Sequence, residues 1–318
     1  MDQTLSWAPH IAEMAKLFQH TEEEKRQIVK NLECSEEGLK EDVEAIMEWF
    51  YKQPHLADAG IDPDVVRTFL LINKGSREKA KRRIDNFYKY RGLAPELIQS
   101  RIQALSSDQK LWTTFRYAAI PKLYQRKRIT IIQLCEPNPS IFLADQVFRN
   151  LYMMNDIRVK YDCFQGDIWV VDLKDGKIGH LLRVNPMMAQ RSAQIFQDGL
   201  GFKVHAIHIL NFPSIGQQIL SFFRKFVKAK IMDRVMIHSS VEELHEFIPK
   251  EYLPKDFGGD SWSMQEYTDI CEKELRSEAT KQFLLNACNH VSNEKKRPAS
   301  DCNNYEYMSG TFKKLNID

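Results

Sequence analysis

Residues 203–230 read KVHAIHILNFPSIGQQILSFFRKFVKAK, and their reading decides the fold. The first eight are short, apolar and rich in β-branched residues, which is strand composition. Beyond Pro213 the pattern changes period. Ile215, Ile219, Phe222, Phe223 and Phe226 fall on one face of a helix spanning 213–228. Gln217, Gln218, Ser221, Arg224, Lys225 and Lys228 occupy the other face, which is basic and holds no acid. A strand running into an amphipathic helix is half of an α/β unit.

Moving outward, RITIIQL (128–134), GDIWVVDL (166–173) and IMDRVMIH (231–238) repeat the strand signature, with helical stretches between them. The alternation predicts an α/β domain over 110–262 with a mixed or mostly parallel sheet flanked by helices. The chain before it reads as a small all-helical domain over 1–100. There, LKEDVEAIMEWFYKQ places Leu39, Val43, Ile46, Met47 and Phe50 on one face, and Asp62-Pro63 forms a helix start. VVRTFLLINKG stops at Gly75, and SREKAKRRIDNFYKYRG buries Ala80, Ile84, Phe87 and Tyr88. Over 263–318, one helix from Ser261 to Ala287 and then a polar, mobile tail are expected.

The 318 residues carry a net charge of +2 and are 43% hydrophobic, so a sizeable core is possible. Near-neutrality argues against nucleic acid as a partner. The first residues lack a basic leader and an apolar run, and no segment reaches the length of a membrane span. A cytoplasmic protein is expected, and its six cysteines, which form no CxxC pair, should be reduced.

The catalytic signatures fail on physical grounds. Gly199-x-Gly201 precedes a strand instead of following one, the reverse of a dinucleotide loop, and no P-loop occurs. His205 and His208 are three apart on a strand, point to opposite faces and cannot chelate one ion. There is no HExxH and no GxSxG. No cofactor, metal or catalytic residue is expected.

The 213–228 helix itself allows two readings. It is a surface helix packed on a core, or a helix that exchanges partners. Its phenylalanines would then face a cavity when closed and acyl chains when open, and its lysines and arginines would meet an anionic leaflet.

NFYKYRG, DLKDGKIGHLL, KVHAIHILNFP, the 213–228 helix and YLPKDFGGD stand in an order that resembles the CRAL-TRIO family, most closely its tocopherol-transfer, retinaldehyde-binding and clavesin members. The resemblance runs from about residue 40 to 260. It implies a helical N-terminal domain and a lipid-binding domain with a hydrophobic pocket closed by a helical lid. The implied function is cytosolic binding and intermembrane transfer of one small hydrophobic ligand, such as a tocopherol, retinoid, carotenoid or related lipid, with peripheral membrane contact. The alternative is a phosphoinositide-binding membrane-trafficking or adaptor module.

By resemblance, Phe148, Leu151, Asn155, Ile178, Ile195, Leu200, Phe202 and Ile207 line the pocket. Asn155 would meet a polar ligand group, and Met153, Met154, Met187 and Met188 would add adaptable surface. Ile215, Ile219, Phe222, Phe223 and Phe226 form the lid. Lys203, Lys230 and Arg234 match phosphoinositide-binding positions, although Asn73 and His205 replace basic residues of relatives. Asp175 and Gly176 also depart from the family pattern, which reshapes the pocket wall. Gly258 and Gly259 are read as a structural turn.

Overall fold

A computed structural model describes residues 17–298 except 31, 33 and 34. Helices α1 (Glu22–Lys30), α2 (Glu36–Tyr51), α3 (Pro63–Ile72), α4 (Arg77–Gly92), α5 (Pro95–Ile98) and α6 (Ser100–Ser106) come first. Their starts are set by side chains: Ser35 accepts from Gly38 N, Asp62 from Asp64 N and Ser76 from Lys79 N. Ile46, Phe50, Val66, Phe69, Leu70, Ile84 and Tyr88 build their common core.

The sheet has five strands in the order β1 (Phe115–Ala119), β2 (Arg128–Leu134), β3 (Asp167–Asp172), β4 (Val204–Leu210), β5 (Val235–Ile237). β1 runs antiparallel to β2, and the remaining neighbours are parallel. β1 was not anticipated; FRYAA lacks the β-branched composition of the others. Helix α7 (Ala144–Tyr161) crosses between β2 and β3. After β3 come α8 (Ile178–Leu182), α9 (Pro186–Gln194) and a π turn over Ile195–Leu200, which packs on α4. Beyond β4 lie α10 (Gly216–Phe223) and α11 (Ala229–Met232), then β5 and α12 (Val241–His245).

Four expectations are corrected. The lid segment is helical only over Gly216–Phe223, because Pro213 sits in the turn before it, and bends follow to Val227. IMDRVMIH is a strand only over Val235–Ile237; its start is α11. Ser261–Ala287 is two helices, α13 (Met264–Leu275) and α14 (Glu278–Ala287), because Ser277 caps a new start by accepting from Thr280 N. The segment from Ser292 to Pro298 is held against the helical region. Ser292 N donates to Tyr88 O, Asn293 N to His55 O, and Arg297 pairs with Asp85 at 2.7 Å. The tail beyond residue 298 lies outside the described residues, as do Cys34 and Cys302. Cys135, Cys163, Cys271 and Cys288 are free thiols.

The glycine pair is structural. Gly258 takes φ +65 to end a 3-10 turn, and a Cβ on Gly259 would lie 2.0 Å from Leu253 O.

Buried ion pairs tie the layers together. Asp156 on α7 meets Arg91 of α4 at 2.6 Å and also Arg101 of α6. Arg91 further donates to Ala287 O at 2.5 Å, which fixes α14. Burial pulls the Asp156 carboxyl upward, but Arg101 and Arg91 outweigh it and hold it below its ordinary value. Asp162 bridges Arg128, at 2.5 Å, and Arg158, which also holds Asp167.

Candidate functional site

An apolar cavity of about 160 Å³ lies on one face of the sheet. Alternation along the strands decides its floor: Phe115, Ile132, Leu134, Val171 and Leu173 point to it, whereas Arg116, Gln133 and Cys135 line a separate polar pocket. Val147 of α7 and Phe142 close one side, and Leu181 of α8 and Val184 another. Gly176 lines it directly, at the point where relatives were expected to hold an aromatic. His180 is oriented there by two bonds: its Nδ1 accepts from Lys177 N, so its Nε2 donates to Glu136 O at 3.0 Å.

Helix α10 provides the remaining wall through Ile219 and Phe223. Phe222 sits edge-on to Phe223 and Phe226, with ring centroids 5.3 Å apart in both pairs. Leu220, which the spacing argument passed over, is the buried apolar side chain of this helix. Ile215 is its half-buried N-cap. Arg224, Lys225 and Lys228 face solvent. Across the cavity mouth, α8 and α9 expose Ile178 at 45%, Leu182 at 78% and Met187 at 53%.

The eight lining positions inferred by resemblance lie elsewhere around this cavity. Ile195, Leu200 and Phe202 are buried in the core shared with the N-terminal helices, with Phe148 packed against it. Leu151 stands one helical turn from Val147, so on the same face of α7. Asn155 is buried on α7, and Ile207 is half-buried on β4 opposite Trp169. Ile178 is 45% exposed on α8, next to Lys177 of the cavity lining. Met153 and Met154 are fully buried core.

A second cavity, of about 670 Å³, opens between the N-terminal helices and the near ends of β2–β4. Lys74, Arg126, Lys127, Lys203 and His205 line it, and its described lining includes no carboxylate. Arg126 donates to Gln165 and Gln27 and Lys127 to Gln125, all at 3.0 Å, so these cations are oriented by amides that leave their charge unneutralised. Burial, then Lys203 and Lys127, push His205 down to about 4. Of the four non-glycine residues at positive φ among those described, Lys74, Gln125 and Arg126 line this cavity, at φ 56, 50 and 61. Gln125-Arg126 form a type I′ turn between Tyr124 and Lys127, a geometry that Asn-Gly adopts far more easily. Of the three expected phosphate-binding residues, only Lys203 lines it. Lys230 is exposed on α11, and Arg234 donates to Val204 O.

A third arrangement was not anticipated. His208 Nδ1 and His238 Nε2 lie 2.8 Å apart, their rings stacked, with Phe247 leaning on both at 5.3 Å. Among the described residues, no group of three or more His, Cys, Asp or Glu could hold a metal, and no helix is long and apolar enough to cross a membrane.

Residues 124–259 match the CRAL/TRIO domain, and residues 35–102 match the Pinta-like UBA domain. The chain is 23% identical to an alpha-tocopherol transfer protein-like protein of Mus musculus, over 69% of this chain and 64% of that protein. The human protein of the same name matches at 23%, with the same coverage. Clavesin-2 of Homo sapiens is 20% identical over 70% of this chain and 69% of its own length. The chain thus matches somewhat less than two thirds of the length of the first two relatives. The crystal structure of Sfh5 aligns with 84% of this chain and 98% of its own at 10% identity, with a TM-score of 0.41.

Proposed function

Residues 124–259 are a CRAL/TRIO domain, and from that premise we propose that the protein carries one hydrophobic molecule behind α10 and exchanges it at membranes. Members of this family bind and transfer lipophilic ligands, and two similar proteins are named for alpha-tocopherol transfer. The observation that carries the reading is the wall that Ile219 and Phe223 make over the apolar floor of Ile132 and Val171. At about 160 Å³ the cavity, partly open at its mouth, is below the roughly 300–1,000 Å³ of small-molecule sites. Loading therefore requires α10 to move outward. Its phenylalanines would then leave protein for acyl chains, which preserves most of the roughly 1.5–3 kcal/mol that burying each provides. Arg224 and Lys225 would add about 1 kcal/mol each at an anionic leaflet, and Lys228 would do so on exchanging its Asp198 partner for a lipid phosphate. Leu182 and Ile178, already exposed across the mouth, form the other lip. The ligand class is a tocopherol, retinoid, carotenoid or related lipid, and the setting is cytoplasmic with transient membrane contact.

The test is transfer of a loaded fluorescent lipid between vesicles. Phe222→Asp combined with Leu182→Asp should slow transfer at least about tenfold while leaving ligand capacity and melting temperature near wild type. Transfer at the wild-type rate by the folded double variant would sink the lid mechanism.

A second reading, a phosphoinositide-binding trafficking or adaptor module, is favoured by the unneutralised basic cavity. Lys74, Arg126, Lys127 and Lys203 could converge on phosphate groups there. Both readings are compatible in one molecule, because the two cavities share no lining residue.

A further inference from the structure

The sheet face that floors the cavity continues inward beyond the cavity's lining residues. Ile132 pairs with Val171, and two residues back along the same strands Thr130 pairs with Trp169 and Trp169 with Ile207. Side chains two apart share a face, so this row lies about 6.6 Å deeper on the same surface of the sheet. Across all five strands the row is Ala119, Thr130, Trp169, Ile207 and Val235. It contains no charge, and its only polar side-chain atoms are Thr130 Oγ1 and Trp169 Nε1. Both atoms are buried, and neither has a hydrogen-bond partner among the described residues. Thr130 is 2% exposed, and Trp169 packs edge-on against Phe196 at 5.0 Å.

Two orphaned polar atoms on directly paired residues of one apolar row cost stability and call for an explanation. Elsewhere in the sheet, buried polar groups are paired: Asp172 accepts from Gln133 and Asn211, and His208 meets His238. We propose that the Thr130 hydroxyl and the Trp169 indole N–H together anchor one neutral oxygen, a hydroxyl or a carbonyl, of an otherwise apolar ligand. The indole can only donate, whereas the hydroxyl donates or accepts. An oxygen between them therefore accepts from Trp169 and, if it carries a proton, gives it to Thr130. A carboxylate or phosphate does not fit, because this row offers no cation and an unpaired charge would be buried. The charged residues that line the cavity, Asp172 and Lys177, stand at its outer end. The ligand consequently enters oxygen first, with its hydrocarbon part toward α10. This rests on the carrier reading and narrows its ligand to a mono-oxygenated hydrocarbon.

The test compares phytol with phytane, the same branched skeleton with and without a hydroxyl, by competition against an apolar fluorescent probe. The variants are Thr130→Val and Trp169→Phe, which keep shape and remove one polar atom each, and Thr130→Ser, which keeps the hydroxyl. Wild type should prefer phytol by about five- to tenfold. The preference should collapse toward unity in Thr130→Val and Trp169→Phe and persist in Thr130→Ser. The two collapsed variants should melt at or above the wild-type temperature when unloaded, because an unsatisfied atom is gone. If both molecules bind wild type equally, or the variants keep the preference, the oxygen anchor is wrong and the carrier reading stands. If neither molecule binds wild type, the carrier reading fails and takes the anchor with it.

Discussion

His208 shows how far a single residue departs from its sequence appearance. On a strand it reads as one of two histidines facing opposite ways, and that much holds, since His205 lies in the basic cavity. Its partner could not be read, because His238 lies thirty residues on, past two helices and an edge strand. Burial, then His238, push His208 from 6.5 down to about 4; burial also lowers His238, against Glu243 and Glu246. A histidine whose folded pKa lies below its unfolded value leaves the unfolded chain with more protons between the two. Stability is therefore complete above about pH 6.5 and declines as pH falls toward 4. For His208, 2% exposed, the loss by pH 5 is roughly 2 kcal/mol. Chemical denaturation at pH 7.5 and 5.0 should show His208→Phe losing less than wild type by about that amount. His205 and His290, also pushed down to about 4, contribute equally in both proteins. Equal losses in the two proteins would remove His208 from the acid response.

Among the elements, legibility followed periodicity. The strands at 128–134, 166–173 and 203–210 and the helices around 39–50, 63–72 and 77–92 stand where the apolar spacing put them. The reading lost accuracy where backbone geometry outweighs pattern. Apolar spacing continues to Phe226, but the helix ends at Phe223, with Val227 N still bonding back to Phe223 O through a bend. What joins the elements was not legible at all. Arginine is seldom fully buried, yet Arg91, Arg101, Arg128 and Arg158 all are. Nothing in local spacing couples Arg91 to Asp156, 65 residues away. Asp156→Asn would leave the Arg91 and Arg101 guanidiniums buried without an anion. Because Arg91 also holds the end of α14, the loss should be global, about 3–5 kcal/mol in urea denaturation. A loss under about 1 kcal/mol would mean that water or other groups replace the carboxylate.

At the scale of the whole molecule, the ordered family pieces disclosed the fold, and the apolar lid spacing disclosed one wall of the candidate site. The basic cavity was half legible. Lys203 was identified, but Lys74 and Arg126 come from strained backbone positions, and Lys127 directly follows one, and no apolar pattern marks them. Strain of this kind is retained where it positions function. Lys127→Glu with Lys203→Glu should weaken binding to phosphoinositide-containing vesicles at least about tenfold, with neutral vesicles and hydrophobic-ligand capacity unaffected. Co-sedimentation with each vesicle type measures this. Equal binding by wild type and variant would end the second reading and leave the carrier reading in place.

The lid segment is held at both ends by the sheet. It leaves β4 at Asn211, whose φ of 50 turns the chain and whose amide donates to Asp172 at 2.8 Å, and it rejoins the sheet at β5, β4's parallel neighbour. A ribbon sewn down at two adjacent points cannot swing like a door. If it opens as proposed, it can only bow, parting a slit along its flank. Cargo would then slip in lengthwise through the side, and a slender chain would pass far more readily than a broad ring of equal volume.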